Sequence, residues 1–394
     1  MRCLVRDALR SPQGKLLAAD RRDRVTVRNL QALRAIAALM VVCLHMTLPR
    51  VGIDDIYANT QPRWLAAFDS IGTCGVDLFF VISGFIMLVT NWDGFGKPLA
   101  GMRFFGRRVI RVYPPYWLAT APVLAVFVFA RDRFMVSHVG TQTGIVESLL
   151  LLPNPHKFVL TVGWTLVYEM VFYVVFAAIL GINQRFVPAA IGVWCLVEVG
   201  LHATFTNTTN FYLGFATSLF PLEFILGTVV GLVYVRGWFP APRVMATIAV
   251  AAAAGSLGYV ISHHVEPGNY ERVALFGIPA ALLVYGAVAL EARDVFSAPS
   301  WLAKLGDGSY AVYLWHLSVL VVVRQTVLLA HPTGPIAHAA ILLATATIVL
   351  TVGQLVYRFF ELPVTKALNK RFSSLMPLRA FDEKRIPRRA ATDS

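Results

Sequence analysis

Along the chain, apolar blocks alternate with short polar connectors, and ten of the blocks approach the roughly 20 residues that a helix rising 1.5 Å per residue needs to cross about 30 Å of hydrocarbon. They cover 30–48, 70–90, 109–130, 161–182, 186–203, 211–235, 244–262, 273–291, 309–330 and 336–360. A further apolar stretch, 145–152, is too short to span and reads as a surface helix or a re-entrant piece. The pattern therefore predicts an all-α, polytopic membrane helix bundle of about ten transmembrane helices.

Composition agrees with the pattern. Apolar residues make up 57% of the 394 and charged residues only 14%, too little polar surface to solvate an ordinary globule. The net charge of +13 raises the question of a nucleic-acid partner, and the distribution of the charge answers it. With the N-terminus inside, 27 Lys and Arg fall in cytoplasmic segments and six on the opposite side, while Arg34 and Arg324 lie within spans. That asymmetry follows the positive-inside rule, and an even number of spans puts both basic tails in the cytoplasm. The charge then serves topology and attraction to anionic membrane lipid, and no nucleic-acid partner is expected.

The chain divides into a basic tail, 1–28, a membrane domain, 29–363, and a second basic tail, 364–394. The first tail has no apolar stretch of signal-peptide length. Cys3, Cys43, Cys74 and Cys195 lack paired metal-ligand spacing, so no metal is expected. No internal repeat suggests a two-fold transporter.

Ionisable groups within spans are costly unless they face the bundle interior with partners, so chemistry is sought among them. Arg34 and His45 are eleven residues apart, three helical turns, and so share a face about 16 Å apart along the axis. Counting 1.5 Å per residue from the span ends puts His45, Asp77 and Glu169 roughly 8, 10 and 12 Å below the outer boundary. An imidazole at that depth, oriented by Asp77 or Glu169, can take a proton from a hydroxyl and return it to a leaving group. The bland alternative is a buried histidine satisfied by a backbone carbonyl. Ser83 and Gly84 allow close helix approach, with Ser83 able to bond across it. Arg108 and Arg111, three apart at the cytoplasmic mouth, suit a phosphorylated ligand, and the adjacent Pro114 and Pro115 bend or start the helix. Plain topological charge would also explain them. Ser309, Tyr313 and His316 form another polar face reaching mid-membrane.

These motifs, in this order, resemble the acyltransferase 3 family of integral membrane acyltransferases. The resemblance rests on Leu-Arg34-Ala-Ile-Ala-Ala with His45; Gly-Val-Asp77-Leu-Phe-Phe-Val-Ile-Ser83-Gly84; Arg-Arg108-Val-Ile-Arg111-Val-Tyr-Pro; Gly-Trp164-Thr-Leu-Val-Tyr-Glu169-Met-Val-Phe-Tyr173; Gly-Ser309-Tyr310-Ala-Val-Tyr313-Leu-Trp-His316; and Phe-Phe-Glu361-Leu-Pro363. It looks most like the branch acting on bacterial exopolysaccharide. It implies a ten-helix inner-membrane enzyme that takes an acyl group, acetyl by analogy, from cytoplasmic acyl-CoA and passes it to a hydroxyl of an extracytoplasmic glycan such as exopolysaccharide or O-antigen. Arg34, Arg108 and Arg111 would hold the CoA phosphates. His45 with Asp77 and Glu169 would do the chemistry, by direct transfer or through an acyl-histidine. Ser83, Trp164, Tyr173, Tyr310, Tyr313 and His316 would line the path. With only a basic tail after the last span, transfer is expected to finish within the membrane domain. The competing class is a transporter or flippase of a glycan or lipid-linked precursor, which would bury similar groups without acyl-CoA dependence.

Overall fold

A computed structural model describes residues 27–47, 66–129, 142–263, 268–330 and 334–376. Regular structure among the described residues is entirely helical. In chain order the helices are α1 (Arg28–Thr47), α2 (Ala66–Asn91), α3 (Ala100–Phe129), α4 (Gln142–Leu150), α5 (Gly163–Ile179), α6 (Val187–Phe205) and α7 (Phe211–Ala216). There follow α8 (Phe220–Val235), α9 (Pro242–His263), α10 (Asn269–Ala292), α11 (Ser300–Asp307), α12 (Ser309–Ala330), α13 (Pro335–Val356) and α14 (Leu362–Leu375). A π turn at Val273–Gly277 interrupts α10, and another at Tyr357–Glu361 joins α13 to α14.

Eight stretches among the described residues are long and apolar enough to cross a membrane. They match the first, second and fifth to tenth expected spans. The third and fourth expected spans also fold as helices, but differently from expectation. Helix α3 starts at Ala100, so Arg108 and Arg111 are helical, and Pro114, Pro115 and Pro122 lie inside it instead of starting it. Helix α5 has only 17 residues. The sixth expected span is two helices, because Pro221, which has no N–H to donate, opens a new helix α8 after the break at 217–219. Both basic tails extend outside the described residues, 1–26 and 377–394.

Small residues decide where the helices meet. Helix α2 lies between α1 and α8 and approaches both closely. A Cβ on Gly75 would stand 2.7 Å from the Ala37 carbonyl oxygen of α1. Across the other face, Gly84 abuts the Phe224 backbone, and Gly227 returns the contact against Val81. In lipid, where apolar burial gives helices little reason to associate, such backbone approach is what packs them. Gly84→Ala is therefore expected to cost about 1–3 kcal/mol by overpacking, read as a lowered thermal midpoint in detergent.

Polar termini are satisfied inside the bundle. The Glu291 carboxylate accepts from the backbone N–H of Arg28 at 2.9 Å and of Asn29 at 2.8 Å, placing a negative charge on the N-terminus of α1. The apolar stretch that the sequence left as surface or re-entrant is α4, and α3 binds its last carbonyls. Tyr116 Oη donates to Ser148 at 2.8 Å, Trp117 Nε1 to Leu149 at 2.9 Å and Tyr113 Oη to Leu150 at 2.8 Å. The segment after α4 alternates between exposed positions, Leu152 and 155–157, and buried ones, Leu151, Asn154, Val159, Leu160 and Val162, the last of which leads into α5.

Candidate active site

Three arginines line one cavity with residues of α2, α5 and α12. Arg34 and Arg108 come from α1 and α3, and Arg111 lies one turn beyond Arg108. Arg34 donates to Gln31 Oε1 at 2.9 Å and lies in the electrostatic field of Arg111, Glu361, Asp307 and Glu169. The Arg108 guanidinium stands over the rings of Phe104 and Tyr173, 5.3 and 5.8 Å from their centroids. Its Nε is buried and has no hydrogen-bond acceptor among the described residues. Arg111 feels the carboxylates of Glu361 and Glu169. At the rim, outside the spans, burial pushes the Asp307 carboxyl up while Arg34 draws it down.

Glu169 is the carboxylate of this cluster. Its Oε1 accepts from Ser83 Oγ at 3.2 Å and from Tyr173 Oη one turn along α5. The group lines the same cavity as the three arginines.

These side chains line one cavity of about 90 Å³, shared by Arg34, Ser83, Arg108, Arg111, Glu169, Tyr173, Tyr310 and Tyr313. At roughly 10–15 Å³ per water, that admits a handful of waters or a slender chain. Tyr310 Oη donates to the Val112 carbonyl at 3.1 Å, and the Tyr313 hydroxyl lies 2.7 Å from that of Thr165. Trp164 is not among the lining residues. It packs 5.4 Å from Phe220 and 6.1 Å from Tyr168, ring centre to ring centre, in an aromatic group beside the cavity.

His45 and Asp77 lie outside this lining. His45 donates from Nδ1 to the Val41 carbonyl at 2.8 Å, so a backbone oxygen orients it and neither carboxylate does. The bland partner is present, yet it occupies only one ring nitrogen and leaves Nε2 as the basic one. The half-buried ring meets that of His316 edge-on, 4.7 Å between centroids. His316, fully buried, donates from Nδ1 to the Tyr313 carbonyl at 2.6 Å. Tyr313 thus touches both the cavity and this histidine pair.

Asp77 has a different partner from the one expected. Arg272 grips it in bidentate fashion, Nε to Oδ1 at 2.8 Å and Nη2 to Oδ2 at 2.7 Å. Glu223, also fully buried, lies against Asp77, and Arg272 stands 5.0 Å over the Phe220 ring. Asp77 is neutralised there and does not reach for His45. His45, Asp77 and Glu169 therefore share no cavity: they occupy three polar centres held by three different partners.

Sequence reasoning missed Arg272, Glu223 and Gln31, and quoted Glu361 without giving it a role. Only Gln31 could have been found locally, three residues from Arg34 on one helix face. Glu361 is buried at the π turn, a position its neighbouring Pro363 hints at and its partners alone explain. Among the described residues no group of three or more metal-ligating side chains is gathered.

The sequence matches the acyltransferase 3 family model, described as an acyltransferase domain, over residues 27–353. It is 31% identical over 314 residues to the exopolysaccharide production protein ExoZ of Rhizobium meliloti, covering 75% of this chain and 90% of the relative. It is 24% identical to the acyltransferase MdmB of Streptomyces mycarofaciens, covering 88% and 94%. Against the peptidoglycan O-acetyltransferase OatA of Listeria monocytogenes the identity is 24%, covering 88% of this chain and 57% of the relative. No solved structure matches the chain.

Proposed function

The chain belongs to the acyltransferase 3 family and is a membrane acyltransferase, and from that premise we propose that it carries an acyl group, acetyl in the first instance, from cytoplasmic acyl-CoA to a hydroxyl of an extracytoplasmic glycan. The observation that carries the donor half is the arginine cavity. The three guanidinium groups line it with the half-buried Glu169, the buried Glu361 lies in the field of Arg34 and Arg111, and the buried Arg108 Nε has no acceptor among the described residues. A phosphate supplies the missing acceptor and charge, and the planar forks of arginine suit it.

Along α1 the same face leads from Arg34 to His45. A pantetheine arm entering past Tyr310 and Tyr313 brings the thioester toward the histidine pair. Bound acyl-CoA supplies the activated acyl carbon. The protein's part is to hold the phosphates at Arg34, Arg108 and Arg111, exclude water with the buried aromatic walls, and remove the acceptor proton at His45 Nε2. Glu169, tied to Ser83 and Tyr173, offsets part of the repulsion among the clustered arginines. The glycan class is taken from the relatives, whose names speak of exopolysaccharide and peptidoglycan.

Purified protein given acetyl-CoA labelled in the acetyl group, with exopolysaccharide as acceptor, should release free CoA and label the glycan. Glycan crossing a vesicle wall without label transfer would instead mean a flippase. Arg108→Ala is expected to weaken CoA binding about ten- to hundred-fold, since a hydrogen bond to a charged group contributes about 1.5–3 kcal/mol. Calorimetric titration with CoA checks it, and unchanged affinity would remove Arg108 from the donor site.

A further inference from the structure

His316 has a task that its place in the helix does not explain. Its Nδ1 is committed to the Tyr313 carbonyl, so its Nε2 carries a lone pair and no proton. That nitrogen is buried without a hydrogen-bond partner among the described residues. A buried polar atom left unpaired costs about 1–3 kcal/mol, which an apolar ring at this position would avoid. The His45 ring, 4.7 Å away between centroids, packs nearer to it than the Tyr313 ring at 5.8 Å, and the Nδ1 of His45 is likewise committed, to Val41. Two imidazoles are thus fixed by backbone carbonyls, each with only Nε2 left to act, and they touch.

We propose that His316 is the positioning residue of His45, its Nε2 accepting a hydrogen bond from the Nε2–H that His45 gains during acyl transfer. The inference rests on the reading of His45 as the base. In the step itself the acceptor O–H proton goes to His45 Nε2, the oxygen's electron pair forms the C–O bond, and the thioester C–S bond breaks. The new N–H of the His45 imidazolium turns to the lone pair of His316 once the oxygen has left it, and the proton then returns to the departing thiolate sulfur. His316 neither gains nor loses a proton. The arrangement replaces the carboxylate partner that Asp77 and Glu169 do not provide, and it suits a low-dielectric interior, where a hydrogen bond to a cation is strong.

Three variants test it. His316→Phe keeps an aromatic ring and removes the lone pair, and kcat is expected to fall about ten- to hundred-fold with both KM values within about two-fold. His316→Gln places an amide oxygen near the same point and is expected to retain most of the activity. A merely structural histidine predicts the reverse, with Phe tolerated in its buried, unpaired site. Wild-type kcat in the Phe protein, or a folded Gln protein as impaired as the Phe one, overturns the proposal. Should the Phe protein not fold, His316→Leu carries the same comparison, and the Gln protein decides alone if neither folds. His45→Ala is measured alongside. Full activity there would sink the reading of His45 itself, whereas loss there with an unimpaired His316→Phe sinks only the role of His316.

Discussion

His45→Ala is expected to lower acyl transfer by about 10²–10⁴-fold while leaving CoA affinity within a factor of two or so. The separation of the two effects follows from the geometry. His45 is absent from the lining of the arginine cavity, and its one hydrogen bond is to a carbonyl of its own helix, so its removal disturbs no phosphate ligand. A half-buried imidazole with Nδ1 fixed presents Nε2 alone, the state in which histidine acts as a base. Labelled acetyl transfer and CoA titration on the same preparation check both halves. Loss of CoA binding together with activity would mean that the mutation unsettles α1 as a whole.

The second large effect concerns stability. Arg272→Ala is expected to destabilise the protein by about 3–5 kcal/mol, because it leaves Asp77 fully buried, with Glu223 against it and no cation facing either. Breaking a buried pair costs far more than exchanging it for neutral groups of similar shape. The double variant Asp77→Asn with Arg272→Gln is therefore expected to recover much of the loss. Thermal unfolding in detergent of Asp77→Asn, Arg272→Gln and their double gives the coupling directly. Equal midpoints for wild type and Arg272→Ala would show that water or lipid head groups already screen the pair.

The helices were legible in the sequence wherever an apolar block stood between polar connectors, because in lipid a backbone has no better way to satisfy its own hydrogen bonds. Legibility failed where helix and apolar block are not the same thing. Helix α3 runs nine residues ahead of its apolar block, carrying Arg103, Arg107 and Arg108 on a turn and a half that hydropathy assigns to a connector. The single block 211–235 hides a break, and only Pro221 marks it. Depth was the costliest inference. It treated His45, Asp77 and Glu169 as neighbours, whereas His45 bonds to Val41, Asp77 to Arg272, and Glu169 to Ser83 and Tyr173.

Within the site, the arginines and Glu169 were found by sequence and do assemble. Their partners were not found, because the contacts that define them join distant positions: Asp77 to Arg272, His45 to His316, Arg34 to the field of Glu361. Helical periodicity speaks only of residues three or four apart. It offered Asp77 as a companion for His45 from equal depth, and the fold gave each another partner.

The central claim is a path through the bundle, from arginines at one end to a histidine pair nearer the other. Sided proteoliposomes test it most directly. The protein is reconstituted in one orientation, with acetyl-labelled acetyl-CoA confined to one face and exopolysaccharide to the other, each way round. Label appearing on the glycan, at a rate that collapses in both Arg108→Ala and His45→Ala, is the predicted result. Transfer only when donor and acceptor share one face would contradict it.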